Sequence, residues 1–477
     1  MPNRPLALTL ALAMPLAACS VGPDYRPRAA SELGVPDAYS VAADQRARED
    51  LTRWWTKFDD PTLGSLVERA QAANLDVAQA VTRLRQARES LVQQRAGLLP
   101  EVGASAGYSR SVPITGSTGG RNDSFSIGAD ASYQVDLFGG VRRGVESARA
   151  GYEAAGFDYA TVLISIEAET ARNYVLAREA QAQLANARDS LGIADENLQI
   201  AGWRVQAGLV SSLDQEQARA SRAQVAAGIP SLEAAYNGYV SRLGVLTGQA
   251  PGALKAELEA VKPIPRGPAS VATGIPAETL RQRPDVRAAE RNLAAATANI
   301  GVASAQLFPS LSIGGSIDAG SSALSSIFDA ISGRLFANIA QAIFDGGRRQ
   351  SQVRSAEAAA DSAFIGYKQT VLTALEDIEN AVVALQAAQR REAEFRIALD
   401  AANNQTLLAR MQYRSGLTDF TTLNQAEASL LSAKNGLVGA QSDQATALIQ
   451  LYQALGGGWD SSVTPTAPTT GSTANGN

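Results

Sequence analysis

The chain has 477 residues, a formal net charge of −5, no histidine and one cysteine. The acidic balance disfavours nucleic acid as a partner. The lack of histidine removes the commonest general base and metal ligand, which argues against triad hydrolases and zinc enzymes.

Residues 1–18 read as a signal peptide, with Arg4 ahead of an apolar run, Leu6 to Leu16, that is too short to span a bilayer. Leu16-Ala17-Ala18-Cys19 has the form of a bacterial lipobox, whose cysteine becomes the acylated first residue of the mature chain. An ordinary signal peptide with an incidental cysteine is the plainer alternative. Ser20, where an aspartate would favour retention in the inner membrane, points to the outer membrane. Acyl chains anchor without spanning, and no cofactor beyond a covalent lipid on Cys19 is expected. Past residue 19 no uncharged apolar run approaches the ~20 residues of a membrane helix, so any crossing has to be made by strands of a closed barrel.

Residues 19–60 read as an N-terminal anchor and linker, with Trp54-Trp55 packing it onto the body. The first repeat is expected over 61–248. It opens with one helical stretch from about Pro61 to Leu99, in which Leu63, Leu66, Val67 and Ala70 recur at helical spacing. Strands follow at about 101–113 and 124–136, split by a Gly/Ser/Thr-rich loop, Ile114 to Asp123. In the second strand Phe125, Ile127, Ala129, Ala131, Tyr133 and Val135 alternate with polar or small residues, giving one apolar and one polar face. From Gly139 to Val205 no proline intervenes, so a helix of ~100 Å is expected, turning back near Gly208.

An inter-repeat linker at 249–274 leads to the second repeat, 275–456, with strands at about 309–320 and 333–345. Its long helix, marked by Val371, Leu375, Ile378, Val382 and Leu385, turns near Gly416. The Thr-, Ser-, Gly- and Pro-rich tail, 457–477, is expected to be disordered. The halves echo one another: Gly208-Leu209 returns as Gly416-Leu417, and Leu98-Leu99-Pro100 as Leu307-Phe308-Pro309. The expected fold is mainly α with a four-strand membrane β contribution, in duplicated helix-strand-strand-helix halves. Four strands cannot close a barrel, since known outer-membrane barrels start at about 8, whereas three copies would supply twelve around a wet lumen.

Cys19-Ser20-Val21-Gly22-Pro23-Asp24-Tyr25, Trp54-Trp55 with Phe58, Asn74-Leu75-Asp76-Val77, and Arg283-Pro284-Asp285-Val286-Arg287 together resemble the TolC-like outer-membrane efflux lipoproteins of the NodT/OprM type. The resemblance covers nearly the whole mature chain. It implies a homotrimer with a 12-stranded β-barrel in outer-membrane lipid, joined to a long periplasmic α-helical barrel. It further implies docking on a periplasmic adaptor protein and an inner-membrane pump, often of the resistance-nodulation-division class, with the protein itself a passive gated duct and not an enzyme. Antibiotic resistance is a function such ducts serve.

In that family the hairpin ends form the periplasmic gate. By position relative to the tip glycines Gly208 and Gly416, the candidates are Asp214 and Tyr413. Gln425 stands where an aspartate is common and Ala428 where close relatives carry arginine, so Arg414 and Asp419 are candidate substitutes. A periplasmic coiled-coil scaffold or adaptor lipoprotein is the competing reading.

Overall fold

A computed structural model describes residues 20–44, 50–112 and 122–466. The signal peptide, Cys19 and almost all of the Ile114–Asp123 loop lie outside these residues. A 3-10 turn at Trp54–Phe58 precedes α1 (Pro61–Ala73) and α2 (Leu75–Ala96). Then come β1 (Glu101–Ser111), β2 (Asn122–Val135), α3 (Gly140–Gln206) and α4 (Ser212–Leu246). Short helices α5 (Lys255–Leu258) and α6 (Pro276–Gln282) lead into α7 (Pro284–Ala305), β3 (Ser310–Ser321), β4 (Ile331–Ala340), α8 (Arg348–Arg414) and α9 (Phe420–Ala454).

Among the described residues the strands form one antiparallel sheet in the order β1-β2-β3-β4, so the two repeats meet at the β2–β3 ladder and β1 and β4 are its open edges. The helices α3 and α8 have 67 residues each, about 100 Å at 1.5 Å per residue. Each folds back on its successor, α3 on α4 and α8 on α9, and α3 also lies along α7. No helix among the described residues is long and apolar enough to cross a membrane.

Three expectations are corrected. The helical stretch Pro61–Leu99 breaks at Asn74, which ends α1 and caps α2: its Oδ1 accepts from the N–H groups of Asp76 (2.8 Å) and Val77 (3.2 Å), and its Nδ2 donates to Leu246 O at 2.9 Å. An asparagine able to satisfy both the orphaned donors of a helix start and a neighbouring carbonyl overrides the apolar periodicity that runs through it. The fourth strand, expected over 333–345, occupies Ile331–Ala340, because residues beyond Ala340 have no ladder partner on β3, which begins at Ser310 after a proline. The tail is not loose from residue 457. Trp459 is buried edge-on against Phe157 with ring centroids 6.0 Å apart, and Arg287 Nη1 donates to Ser461 O at 2.8 Å.

The main core lies midway along the helices. Trp54 is fully buried and stacks on Tyr452 with centroids 5.4 Å apart, while Trp55 and Phe58 meet it edge-on. Beside this cluster Arg283 grips Asp285 through two hydrogen bonds (3.0 and 2.6 Å), reaches Asp377 at 3.0 Å and donates to Ala454 O at 2.9 Å. It thereby ties the start of α7 to α8 and to the end of α9.

Glu167 on α3 is wholly buried, and burial pushes its carboxyl up to about 8 against the opposing effect of a 2.6 Å hydrogen bond from Gln71 Nε2. The folded chain thus holds a proton that the unfolded chain loses near pH 4.5. This contribution to stability is full below that pH and is lost as pH rises through about 8. Glu167→Gln is expected to flatten the decline in thermal midpoint between pH 5 and pH 8, read by unfolding scans. An unchanged pH dependence would contradict the assignment.

Candidate functional site: the sheet and the hairpin tips

Alternation on each strand, fixed in register by the ladders, sorts the sheet into two faces. Val102, Ala104, Ala106 and Tyr108 of β1 stand opposite Ala131, Ala129, Ile127 and Phe125 of β2. The same face continues through Ile313 and Ile317 of β3 to Leu335 and Ile339 of β4. The other face carries Glu101, Ser105, Ser126, Asp130, Ser132, Ser316, Asp318, Arg334 and Asn338, with Phe336 lying over Gly314. Strands of 10 to 14 residues at ~3.3 Å per residue, tilted near 45°, match the thickness of a bilayer core. An apolar face of that height fits lipid and a polar face fits water.

The N-terminal segment begins at the foot of this sheet. Val21 N–H donates to Phe138 O at 3.1 Å, just beyond the end of β2. Arg143, buried on the first turns of α3, donates to Val21 O (3.3 Å), Gly22 O (3.3 Å) and Asp24 Oδ1 (2.6 Å). Gly301 lets the strap through, since a Cβ there would overlap both Val21 O and the Arg143 side chain. Ser20, the neighbour of Cys19, is thereby held at the strand-to-helix junction.

At the far end the two hairpins turn in the same way. Gly208 and Gly416 have φ of +67° and +72°, the left-handed region glycine adopts without a Cβ penalty. Leu209 N–H reaches Arg204 O, and Leu417 N–H reaches Gln412 O, both at 2.8 Å, closing each helix with a Schellman cap. The N-caps of the return helices, Ser211 and Asp419, accept from Leu213 N–H (3.2 Å) and Thr422 N–H (2.9 Å).

The gate candidates are separated by this geometry. Tyr413 is buried, edge-on to Phe420 with centroids 6.0 Å apart. The Arg204 guanidinium sits 4.7 Å above its ring and donates to Tyr413 O at 3.4 Å. Asp214 is half-buried in the first turn of α4, and Gln425 and Arg414 are exposed. Asp419 is exposed, and hydrogen bonds from Thr422 hold its carboxyl below the usual range. No ion pair joins it to Arg414 among the described residues; Asp419 caps α9 instead.

Two features escaped the reading by distance from the glycines. Arg204 locks one hairpin onto the other, and its placement in the basic last turn of α3 was the available signal. Further up, Glu427 accepts from Arg410 (3.2 Å) and Asn197 (2.7 Å), while Ser221 donates to Asn424 at 2.5 Å. Burial pushes the Glu427 carboxyl up, and Arg410 opposes it. Glu427, Arg410, Ser221 and Asn424 line a cavity of about 410 Å³ between the hairpins.

The family profile described as "Outer membrane efflux protein" matches the chain twice, over residues 66–249 and 275–457. The chain belongs to the outer membrane efflux protein family. Among relatives, it is 31% identical to nodulation protein T of Rhizobium leguminosarum bv. trifolii, over 93% of this chain and 96% of that one. It is 31% identical to outer membrane protein OprJ of Pseudomonas aeruginosa, over 94% and 95%. Among solved structures, the outer-membrane channel OprN superposes with a TM-score of 0.83 at 34% identity, covering 92% of this chain and 100% of that chain. The protein is an outer-membrane efflux channel, with its sheet in the membrane and its helices in the periplasm. The scaffold reading is set aside, because a member of this family with a bilayer-height sheet is more than a helical lipoprotein.

Arg204→Ala is expected to speed amide exchange in the last turns of α3 and α8 by about two- to fivefold, the loss of a cation–π contact at a partly exposed site. Arg414→Ala is expected to leave both unchanged. Hydrogen exchange with mass spectrometry reads the difference, and equal protection in the two variants would contradict the role given to Arg204.

Proposed function

We propose that three copies of this chain assemble into a gated duct that exports small molecules across the outer membrane as the terminal part of a tripartite efflux system. The observation that carries the reading is an unmade seam. Within the chain, α3 of the first repeat lies along α7 of the second, burying Phe157 and Ile164. Their repeat equivalents 208 residues on are Ile365 and Leu372, which are 65% and 45% exposed because α8 has no such seam with α2 inside the chain. The open edges β1 and β4 tell the same story in the sheet. A neighbouring copy placed as the other repeat is placed would cover both, and three copies supply twelve strands, an even number within the range in which outer-membrane barrels close.

The polar strand face then lines a wet passage, and the paired hairpins continue it into the periplasm as an α-helical barrel. Cys19 carries the acyl chains, a reading supported by the fixed position of Ser20 at the membrane boundary. The hairpin tips close the passage, with Asp214 and Tyr413 lining or bracing the aperture and Arg204 holding neighbouring hairpins together. They also face the periplasmic adaptor protein, behind which an inner-membrane pump, of the resistance-nodulation-division class, supplies the energy. The chain performs no catalysis of its own; its work is to be shut until the tips are pulled apart.

Purified protein in planar lipid bilayers is expected to show discrete conductance steps, with Asp214→Ala raising the open fraction. A lipid-embedded protein that conducts nothing, even as the Asp214→Ala and Arg204→Ala double variant, would overturn the duct. Unchanged gating in Asp214→Ala alone would remove that residue from the gate. With Cys19→Ser and a non-lipidated signal peptide, the protein is expected to stay in the membrane fraction after carbonate extraction, held there by its strands.

A further inference from the structure

The duplication does more than call for a neighbour; it specifies the hydrogen-bonding register in which the neighbour must sit. In the first repeat Glu101 lies opposite Ser132, and in the second Ser310 lies opposite Ala340. Moving β1 onto β3 is thus a shift of 209 residues and moving β2 onto β4 a shift of 208, the first matching the Pro100 to Pro309 spacing and the second the Gly208 to Gly416 spacing. The β2–β3 ladder that joins the repeats runs from Phe125 opposite Ser321 to Val135 opposite Leu311. The same two shifts convert it into a ladder between β4 of one copy and β1 of the next.

The geometry points to a subunit seam in which Arg334 stands opposite Ser111 of a second copy of this chain, Asn338 opposite Gly107, Ile339 opposite Ala106, and Ile343 opposite Val102. This rests on the reading that copies meet edge to edge and adds the register at which they do so. An observation independent of the repeat supports it. Val102, Ala104, Ala106 and Tyr108 share the apolar face of β1, and Leu335 and Ile339 share that of β4. Any slip by one residue would set those side chains against Ser105, Gly107 or Ser109 of the polar face; the inferred register keeps the lipid-side face of β4 against that of β1, Ile339 meeting Ala106 and Ile343 meeting Val102, while Leu335 lies opposite Arg110 near the far end of the strand.

The register also accounts for the short fourth strand. Gln341, Ala342 and Ile343 have no partner on β3, and Ile343 is 99% exposed in the isolated chain. Across the seam they meet Ala104, Gly103 and Val102, as Tyr133, Gln134 and Val135 meet Ile313, Ser312 and Leu311 inside the chain. The strand therefore extends to Ile343 only in the assembly, and its last apolar side chain joins the lipid-facing band beside Val102.

Disulfide trapping tests this cleanly, because the chain's one cysteine is Cys19, far from the seam in the sequence. Directly opposed residues bring Cβ atoms to about 4.5–5.5 Å, whereas diagonal neighbours stand about 7–8 Å apart, beyond the reach of a disulfide. Full-length protein carrying Ile339→Cys with Ala106→Cys is expected to become a covalently closed oligomer on mild oxidation in membranes. The pairs Ile339→Cys with Ala104→Cys and Ile339→Cys with Tyr108→Cys are expected to cross-link at least several-fold less. Ala340→Cys with Ser105→Cys puts the same register to the test on the polar face, should the apolar substitutions impair insertion. Preferred cross-linking of either shifted pair would overturn the register while leaving edge-to-edge assembly intact. Membrane-inserted protein in which no pair on either face cross-links would overturn both.

Discussion

The whole assembly depends on backbone hydrogen bonding in a medium that offers none. In hydrocarbon an unpaired N–H or C=O costs several kcal/mol, and β1 and β4 each present a full edge of such groups. The chain has too few strands to hide these edges by curling upon itself. It has instead a polar face, an apolar face of bilayer height, and two matching edges, which is the geometry of one sector of a cylinder. The helices inherit this constraint: α3 and α8 leave the sheet within a few residues of β2 and β4, so the spacing of the strands sets the spacing of the helices below them.

Duplication makes the sector easy to specify, and its few asymmetries show where each half has a separate task. Arg143 holds the N-terminal strap in the groove between α3 and α7, against Gly301. Its repeat equivalents are Ser351 and, for Gly301, Val92, neither suited to that grip. A chain has one N-terminus, and so one of the two grooves is fitted to receive it; the other is left for a neighbour. At the tips the same divergence appears, Arg204 and Tyr413 pairing across hairpins while their counterparts are Gln412 and Val205.

Much of the fold was legible because its signals are periodic and long. Two-residue alternation from Phe125 to Val135 and proline-free helical spacing across 67 residues are hard to produce by accident. What escaped was set by single side chains or by missing partners. Asn74 breaks a helix that the apolar stripe would carry through, using hydrogen bonds that reach Leu246, 172 residues away. Trp459 and Ser461 are fastened by Arg287 and Phe157 although the surrounding composition reads as a loose tail. The end of β4 was read beyond Ala340 because the alternation persists there while the paired strand does not. Among the gate candidates, distance from a glycine located Tyr413 in a tight cluster but did not reveal Arg204, whose contact is made only when two hairpins distant in sequence come together.

The count of copies is the most direct test of this account. Native mass spectrometry of the full-length lipidated protein, released gently from membranes in detergent, is predicted to give a single assembly of three chains that falls to monomers on denaturation. A folded, membrane-extracted monomer with the same helical content, or a closed assembly of any other number, would contradict it.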